Sequence, residues 1–305
     1  MKRREILGAL GAVGITATLP RIALGLQAEA APIPRKGRIR QALWPNTFGG
    51  RSQAPGPGAA PSLDSMCETA VRVGALGFDI LPAESWPTLR RYGLTCTLAG
   101  PGKVDFEAGI VHPEIHDTQL AGMVANAKVC ADAGVRRFGF NAGARRGLDY
   151  AKAADNAVAF LNRLKDSLEG HDVTACLENV NDRRPNNPNL ARKDMVFGHW
   201  DWGMDVVARV NSPNVKLLCD IYHLQIMDGD VAWRIRESIG SIGHFHVAGV
   251  PTRNEIDGTQ ELNFRYIAQV IAELPYQGYV SHEWRPTPGR DPLSSIAEAL
   301  AIMDV

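Results

Sequence analysis

Residues 173–178, VTACLE, form a short apolar run that ends in an acid, and the second half of the chain repeats this arrangement three times. The repeats are VKLLCD at 215–220, IGHFH at 242–246 and YVSHE at 279–283. An acid or imidazole at the end of a buried strand needs a compensating partner, because removing it from water alone is costly. Four such ends on successive strands indicate the ligands of one metal ion.

Short β-rich runs alternate with longer amphipathic segments from residue 38 onward, which is the pattern of repeated β-α units and a parallel sheet. Eight strands can be assigned, over residues 39–44, 77–81, 94–98, 136–141, 173–180, 215–222, 242–247 and 279–284. Eight parallel units that close on themselves make a TIM barrel. We therefore predict an α/β fold, a single-domain (β/α)8 TIM barrel over residues 38–305.

The intervening helices follow from apolar spacings of three and four residues, most clearly over Asp117 to Ala133 and over Ala151 to Leu168. Helices are expected to end just before three residues that precede strands: Gly134, Gly170 and Asn214. An open doubly wound sheet is the alternative architecture. It is disfavoured because residues 44–50 read WPNTFGG, where a GxGxxG phosphate turn would be required.

Composition and net charge limit the classes of function that this chain can have. The 305 residues are 45% hydrophobic and 22% charged, as in an ordinary globular domain. The net charge is zero and no basic block is interleaved with aromatics, so nucleic acid is not expected as a partner. The five cysteines are an odd number without a CxxC spacing, which predicts buried thiols and neither a disulfide pair nor a zinc site.

The first 31 residues have a different character. Lys2-Arg3-Arg4 precedes an uncharged run from Ile6 to Pro20 and a small-residue stretch, AEAA, at 28–31. This pattern resembles a twin-arginine export signal, with cleavage expected near Ala30 and a periplasmic product. The run is too short and too rich in Gly and Ala for a span of roughly 20 apolar residues, so no stable membrane span is expected after processing.

The four strand-end residues are Glu178, Asp220, His246 and Glu283. In a TIM barrel the C-terminal strand ends converge on one mouth, where three unpaired carboxylates would repel one another. A divalent cation removes that conflict, and three oxygens with one imidazole suit Mg²⁺, Mn²⁺ or Co²⁺. Each residue alone is more often a hydrogen-bonded strand-end group, but the set of four favours a metal site.

Further polar residues near the strand ends are predicted to bind the substrate: Asn141, His223, Arg253 and Glu261. His223 lies three residues beyond Asp220. It either contacts the substrate, or holds another residue of the site in place, or lies at the surface. Arg253 either holds a substrate carboxylate or hydroxyl, or is solvated in its loop. His244 shares a strand face with His246 but lies deeper, where a hydrogen-bonded core histidine is expected.

Short motifs around the strand ends carry a family resemblance. They are LENVN at 177–181, CDIYHLQ at 219–225 followed by GD at 229–230, GHFHVA at 243–248, PTRNE at 251–255, ELNF at 261–264 and GYVSHE at 278–283. The stretches GFDILP at 77–82 and WPTL at 86–89 extend the similarity over nearly the whole mature chain. As a set, these motifs resemble hydroxypyruvate isomerase and its relatives, which belong with the ketose 3-epimerases to the xylose-isomerase-like TIM barrels.

The resemblance implies that Glu178 and Glu283 are both metal ligands and the acid/base pair on either side of the substrate, while Asp220 and His246 complete the coordination. Moving a carbonyl between adjacent carbons requires loss of an α proton and stabilisation of the resulting enediolate, which a divalent ion supplies. The predicted activity interconverts the aldehyde and ketone forms of a small hydroxy-carbonyl compound of the hydroxypyruvate/tartronate semialdehyde type. Family analogy also suggests a homo-oligomer.

Two departures from the family pattern keep alternatives open. Hydroxypyruvate isomerases usually have Pro after the first catalytic glutamate and Gln at the third ligand position, where this chain has Asn179 and His246. His246 resembles the epimerases, but those lack the PxRxE and ELNF segments. A ketose 3-epimerase and a non-catalytic sugar-binding barrel are therefore the alternatives. A phosphodiesterase of the endonuclease IV type is disfavoured by the zero net charge and the eight histidines.

Overall fold

The computed structural model describes residues 32–49, 61–105, 108–183 and 194–305. These contain eight strands and nine α-helices, which alternate except that α6 and α7 both lie between β6 and β7. The strands are β1 (Gln41–Leu43), β2 (Gly77–Asp79), β3 (Thr95–Leu98), β4 (Arg137–Asn141), β5 (Thr174–Glu178), β6 (Val215–Asp220), β7 (Ile242–Val247) and β8 (Val280–His282). The helices are α1 (Leu63–Val73), α2 (Trp86–Arg91), α3 (His116–Asp132), α4 (Tyr150–His171), α5 (Trp200–Val210), α6 (Ile221–Met227), α7 (Val231–Ser238), α8 (Phe264–Glu273) and α9 (Pro292–Met303). Short 3₁₀ turns lie at Pro45–Phe48, Ala83–Ser85, Pro113–Ile115 and Ile239–Ser241.

The strands form one sheet in the order β3-β2-β1-β8-β7-β6-β5-β4, and every pair is parallel. The two outermost strands meet through Ala99. Its N–H donates to the Arg137 carbonyl and its carbonyl accepts from the Gly139 N–H, both at 2.9 Å. These bonds close the sheet, so the predicted (β/α)8 TIM barrel is confirmed.

Side chains that face inward fill the barrel below its mouth. Leu98, Cys176 and Leu218 form a buried cluster there. Gly243 gives Cys176 room, because a β-carbon at residue 243 would lie 2.8 Å from the Cys176 sulfur. Burial raises the pKa of the Cys176 thiol to about 12. All five cysteines are free and buried, as predicted, and this one fills space under the site as an un-ionised thiol.

The end of β6 differs from the prediction. The strand was expected to reach Tyr222, but it ends at Asp220 and α6 begins at Ile221. The cause is local, because Asp220 caps the helix and its Oδ1 accepts a hydrogen bond from the Tyr222 N–H at 2.9 Å. β7 has its predicted bounds, whereas the other strands are one to several residues shorter at one or both ends.

Two helix ends were also predicted wrongly. Helix α4 does not end before Gly170 but continues to His171, and Asp172 takes the left-handed conformation at φ 52°. Helix α5 ends at Val210 rather than next to Asn214, because Asn211 takes that conformation at φ 49°. Asp and Asn tolerate this backbone better than most residues, so they end helices here in place of glycine.

The predicted export signal at residues 1–31 lies outside the described residues, and export stays a prediction. Residues 50–60, 106–107 and 184–193 are outside them as well. Among the helices that are described, none combines the length and the apolar character that crossing a membrane requires.

His282 on β8 is buried in a setting that fixes its neutral form. The Trp284 indole N–H donates to Nδ1 at 3.2 Å, so Nε2 carries the proton and donates to Gln41 Oε1 at 2.9 Å. Burial lowers the pKa of His282 to about 3. A second proton would bring Nδ1–H against the indole N–H, which explains why the charged imidazole is disfavoured here.

We expect His282 to make the fold acid-sensitive. Its pKa is about 6.5 in an unfolded chain and about 3 in the fold, so its stabilising contribution is complete above pH 6.5 and declines as the pH falls toward 3. At pH 5 the loss is about 2 kcal/mol. Urea unfolding at several pH values measures it, and His282→Gln should flatten the slope between pH 5 and 7.5. An unchanged slope in the variant would assign the acid sensitivity to other groups.

Candidate active site

Four side chains from β5, β6, β7 and the residue after β8 meet at the mouth of the barrel. Ligand atoms of Glu178, Asp220, His246 and Glu283 all lie within 4.8 Å of one another. Asp220, His246 and Glu283 are buried, and Glu178 is half-buried. The predicted convergence of these four residues is found, while their roles as ligands and bases stay predictions.

Asp220 is held so that one carboxylate oxygen faces the mouth. Its backbone N–H donates to Asn179 Oδ1 at 2.8 Å, and Asn179 Nδ2 donates back to the Asp220 carbonyl at 3.1 Å. Its Oδ1 is occupied by the Tyr222 N–H, as the capping interaction requires. The other oxygen, Oδ2, lies 3.2 Å from His223 Nε2 and 3.3 Å from Arg253 Nη2.

His246 presents its Nδ1 to the same mouth. Its Nε2 donates to Asp79 Oδ2 at 3.0 Å, because Asp79 is ionised and can only accept. Burial alone would raise the pKa of Asp79, but His244 and His246 outweigh it and hold that pKa below its usual range. His246 Nδ1 lies 2.8 Å from Glu283 Oε2 and 3.7 Å from Glu178 Oε1, yet it has no hydrogen-bond partner in the described part of the chain.

Asp79 is a site residue that was not among the predicted ones. It is fully buried, its Oδ2 also accepts from His244 Nε2 at 2.8 Å, and the Thr97 hydroxyl donates to its Oδ1. His244 is thus the hydrogen-bonded core histidine that was expected. The signal for Asp79 was present, because it is an acid at the end of β2, as Glu178 is at the end of β5 and Asp220 at the end of β6.

Arg253 lies across the acids of the mouth. Its Nη2 donates to Glu283 Oε2 at 2.6 Å and to Asp220 Oδ2 at 3.3 Å. The guanidinium also lies over the Tyr222 ring, 5.2 Å from its centroid. Of the two alternatives for Arg253, solvation in its loop is therefore wrong, since its side chain is only 23% exposed, and contact with a substrate stays a prediction.

The charges of the mouth do not balance. Burial raises the pKa of Asp220 well above its usual range, and the nearby Glu283 and Glu178 raise it further against the effect of Arg253. Burial would also raise the pKa of Glu283, but Arg253 and His246 outweigh it and hold that pKa well below its usual range. Among the described residues, three carboxyl groups share the Arg253 cation and the His246 imidazole. Burial would lower the pKa of His246, but Glu283, Asp79 and Glu178 outweigh it and raise that pKa well above its usual range. An additional positive charge would relieve the remaining conflict.

Several buried polar atoms near the mouth have no hydrogen-bond partner among the described residues: Asn141 Oδ1, His246 Nδ1, Arg253 Nε and Ser281 Oγ. Buried polar atoms are normally paired, so this concentration indicates room for a polar ligand. An Nδ1 among three carboxylates, with Nε2 held by a fourth, is the arrangement of a metal-binding histidine. The residues therefore fit a divalent ion.

The remaining substrate-binding candidates lie at different depths. Asn141 ends β4 and pairs in register with Glu178, and His223 is buried with its Nδ1 accepting from the Asn181 N–H at 3.1 Å. The proton of His223 is therefore on Nε2, which faces Asp220. Glu261 is exposed, and its carboxylate accepts from Gln225 Nε2 at 3.3 Å. Glu261 is thus placed at the rim and the other candidates at the mouth.

Comparison with known proteins identifies the family. A family model described as xylose isomerase-like TIM barrel matches residues 81–304. The chain therefore belongs to the xylose isomerase-like TIM barrel family.

Among curated proteins, the 2-oxo-tetronate isomerase of Cupriavidus necator is 32% identical over 171 residues, which are 56% of this chain and 60% of that protein. The hydroxypyruvate isomerase of Escherichia coli is 35% identical over 83 residues, 27% of this chain and 32% of that protein. The chain thus matches less than two thirds of the length of either relative.

Solved structures resemble the whole barrel. The family 2 AP endonuclease of Brucella melitensis has a TM-score of 0.71 at 25% identity, and the match covers 86% of this chain and 98% of that one. The 3-keto-D-glucoside 4-epimerase of Escherichia coli has a TM-score of 0.70 at 18% identity, with 87% and 98% covered. The second likeness concerns the fold alone.

Proposed function

We propose that this protein is a metal-dependent isomerase that interconverts the aldehyde and ketone forms of a small hydroxy-carbonyl compound of the hydroxypyruvate/tartronate semialdehyde type. The observation that carries the proposal is the pair Glu178 and Glu283 in one 4.8 Å cluster with Asp220 and His246. Binding alone does not require two carboxylates around one ligand. The relatives named 2-oxo-tetronate isomerase and hydroxypyruvate isomerase support the same reaction class.

One divalent ion, Mg²⁺, Mn²⁺ or Co²⁺, would be held by Glu178, Asp220, His246 and Glu283. When bound, it supplies charge stabilisation for the oxygens of an enediolate. The protein's own contribution is the preorganised donor set. Asp79 fixes the His246 ring, and Asn179 fixes Asp220 through two hydrogen bonds.

Glu283 and Glu178 move the protons in this proposal. Glu283 would take the proton α to a carbonyl as an ionised carboxylate, the state that Arg253 and His246 favour in the metal-free site. Glu178 is the second carboxylate and would return a proton to the neighbouring carbon. Asn141 and His223 would orient the substrate in the mouth, and Glu261 would contact it from the rim.

Ketose 3-epimerisation is the second candidate. It needs the same two carboxylates. In an epimerase they act on opposite faces of one carbon, whereas in the isomerase they act on two neighbouring carbons. The observation that favours it is the imidazole of His246 among the predicted ligands, where the hydroxypyruvate isomerases usually have Gln.

Deuterium exchange tests the proposal. The protein, loaded with Mn²⁺ or Mg²⁺, is incubated in D₂O with hydroxypyruvate, tartronate semialdehyde, 2-oxo-tetronate and a panel of ketoses, and NMR follows label at each carbon. We expect metal-dependent exchange at the α carbon together with an aldehyde product. EDTA should stop both, because the enediolate charge is then unsupported.

The outcomes separate the rival functions. Exchange with inversion at one ketose carbon and no aldehyde product would replace the isomerase by the epimerase. Binding of a sugar without exchange would indicate a non-catalytic barrel. Cleavage of DNA with an abasic site, with no exchange in any compound, would contradict isomerase and epimerase together.

A further inference from the structure

The guanidinium of Arg253 contacts two of the carboxylates that would hold a metal ion. Its Nη2 is 2.6 Å from Glu283 Oε2 and 3.3 Å from Asp220 Oδ2. Arginine is always protonated in proteins, so these acids already hold one cation. We propose that Arg253 and the divalent metal compete for these two oxygens, and that metal binding displaces the guanidinium. The inference rests on the metal site of the proposed function.

The competition follows from which oxygens are available. Asp220 offers chiefly Oδ2 to the mouth, because its Oδ1 accepts the hydrogen bond from the Tyr222 N–H. Glu283 Oε2, the other oxygen in contact with Arg253, is also the one 2.8 Å from His246 Nδ1. The guanidinium therefore contacts the two carboxylate oxygens that would bind an ion together with His246.

Short distances make it unfavourable for the metal ion and the guanidinium to be bound to the same oxygens at the same time. Small divalent ions bind carboxylate oxygens at about 2.0–2.2 Å. An ion on Glu283 Oε2 would then lie close to a guanidinium nitrogen that is 2.6 Å from the same oxygen. Both groups are positive, and the water that could screen them is largely excluded from a mouth in which Asp220 and Glu283 are buried.

Backbone hydrogen bonds hold Arg253 at the mouth independently of its side chain. The Arg253 N–H donates to the Gly249 carbonyl at 2.7 Å, and its carbonyl accepts from the Arg285 N–H at 3.0 Å. These bonds hold the residue at the mouth, while its side chain is 23% exposed on one side and stacked on Tyr222 on the other. A displaced guanidinium remains at the mouth, where it can meet an anionic substrate group.

Mn²⁺ binding to the metal-free protein tests the competition. Free Mn²⁺ is measured by electron paramagnetic resonance for the wild type, Arg253→Gln, Arg253→Lys and Arg285→Gln. We expect Arg253→Gln to bind Mn²⁺ about tenfold more tightly, within the usual range of coupling between two ligands. Arg253→Lys loses the planar fork and should also bind more tightly, by a smaller factor.

Arg285→Gln is the matched control. Arg285 follows β8 at the same end of the barrel, is exposed and stacks over Trp44 at 5.7 Å. Its removal deletes the same charge without touching the acids, so its Mn²⁺ affinity should equal that of the wild type. Repeating the titrations in 0.5 M salt weakens long-range repulsion between charges but leaves direct competition in place.

Thermal unfolding gives a second readout. Arg253→Gln should lower the melting temperature of the metal-free protein, because it leaves Asp220 and Glu283 without their cation, and Mn²⁺ should restore more stability to it than to the wild type. Equal or weaker Mn²⁺ binding by both Arg253 variants would overturn the competition alone. A wild-type protein that binds no Mn²⁺ would overturn the metal site as well.

Discussion

Replacing Glu178 with glutamine should lower the rate of isomerisation by about 10³-fold, the usual contribution of a positioned acid or base. Glutamine keeps the size of the side chain but cannot carry a proton between two carbons. The position is suited to this test because Glu178 is the half-buried member of the mouth and is 3.7 Å from the His246 ring, so its substitution disturbs packing little. Turnover is measured by NMR at saturating Mn²⁺.

Comparing Glu178→Gln with Glu283→Gln shows whether two carboxylates move the protons or only one. If Glu178 and Glu283 act on different carbons, one variant should lose exchange with the aldehyde and retain some exchange with the ketone, and the other should show the reverse. If a single carboxylate moves the proton between both carbons, its variant loses exchange with both substrates while its partner's variant keeps it. Exchange is therefore followed separately from each substrate.

Metal loss must be separated from loss of the base. Mn²⁺ affinity is measured for Glu178→Gln, and turnover is compared only at saturating metal. Glu273→Gln is the control, since Glu273 is exposed at the end of α8 and its substitution removes the same charge far from the mouth. Turnover of Glu178→Gln within tenfold of the wild type, with metal bound, would mean that Glu178 is a ligand without a proton-transfer role.

The sequence was sufficient for the barrel and for the four converging residues because both follow from local patterns and topology. An apolar run that ends in an acid or imidazole is visible in six residues of sequence, as in 215–220. Parallel closure then brings the C-terminal ends together regardless of loop length. No knowledge of side-chain packing was needed to place Glu178, Asp220, His246 and Glu283 at one mouth.

The remaining features depend on contacts between distant parts of the chain. Arg253 meets Asp220 and Glu283 only because its loop folds over the mouth, and no pattern within residues 251–255 reveals this. The end of α4 depended on a competition that the sequence left open, since Gly170 was the obvious terminator and Asp172 took the left-handed conformation instead. Intrinsic propensity ranks Gly, Asn and Asp as residues that end helices, but it does not decide which of two nearby candidates ends a given helix.

Replacing Asp79 with asparagine should weaken Mn²⁺ binding by about 10-fold to 100-fold, the usual effect of losing a carboxylate behind a ligating histidine. The ionised Asp79 Oδ2 accepts from both His244 and His246, which fixes the proton of each ring on Nε2. An amide cannot accept from both rings with the same strength. If its NH₂ group turns toward His246, the ring proton must move to Nδ1, and the lone pair that would bind the metal is lost.

A variant of Thr97 separates this effect from general damage to a buried site. Thr97→Val removes the hydroxyl that donates to Asp79 Oδ1 but leaves the Oδ2 contacts of both histidines. It should therefore change Mn²⁺ affinity much less than Asp79→Asn, although each variant loses a buried hydrogen bond and some stability. Equal losses of affinity would mean that Asp79 acts by packing. A loss confined to Asp79→Asn, in a protein that still unfolds cooperatively, would show that the carboxylate acts through the His246 tautomer.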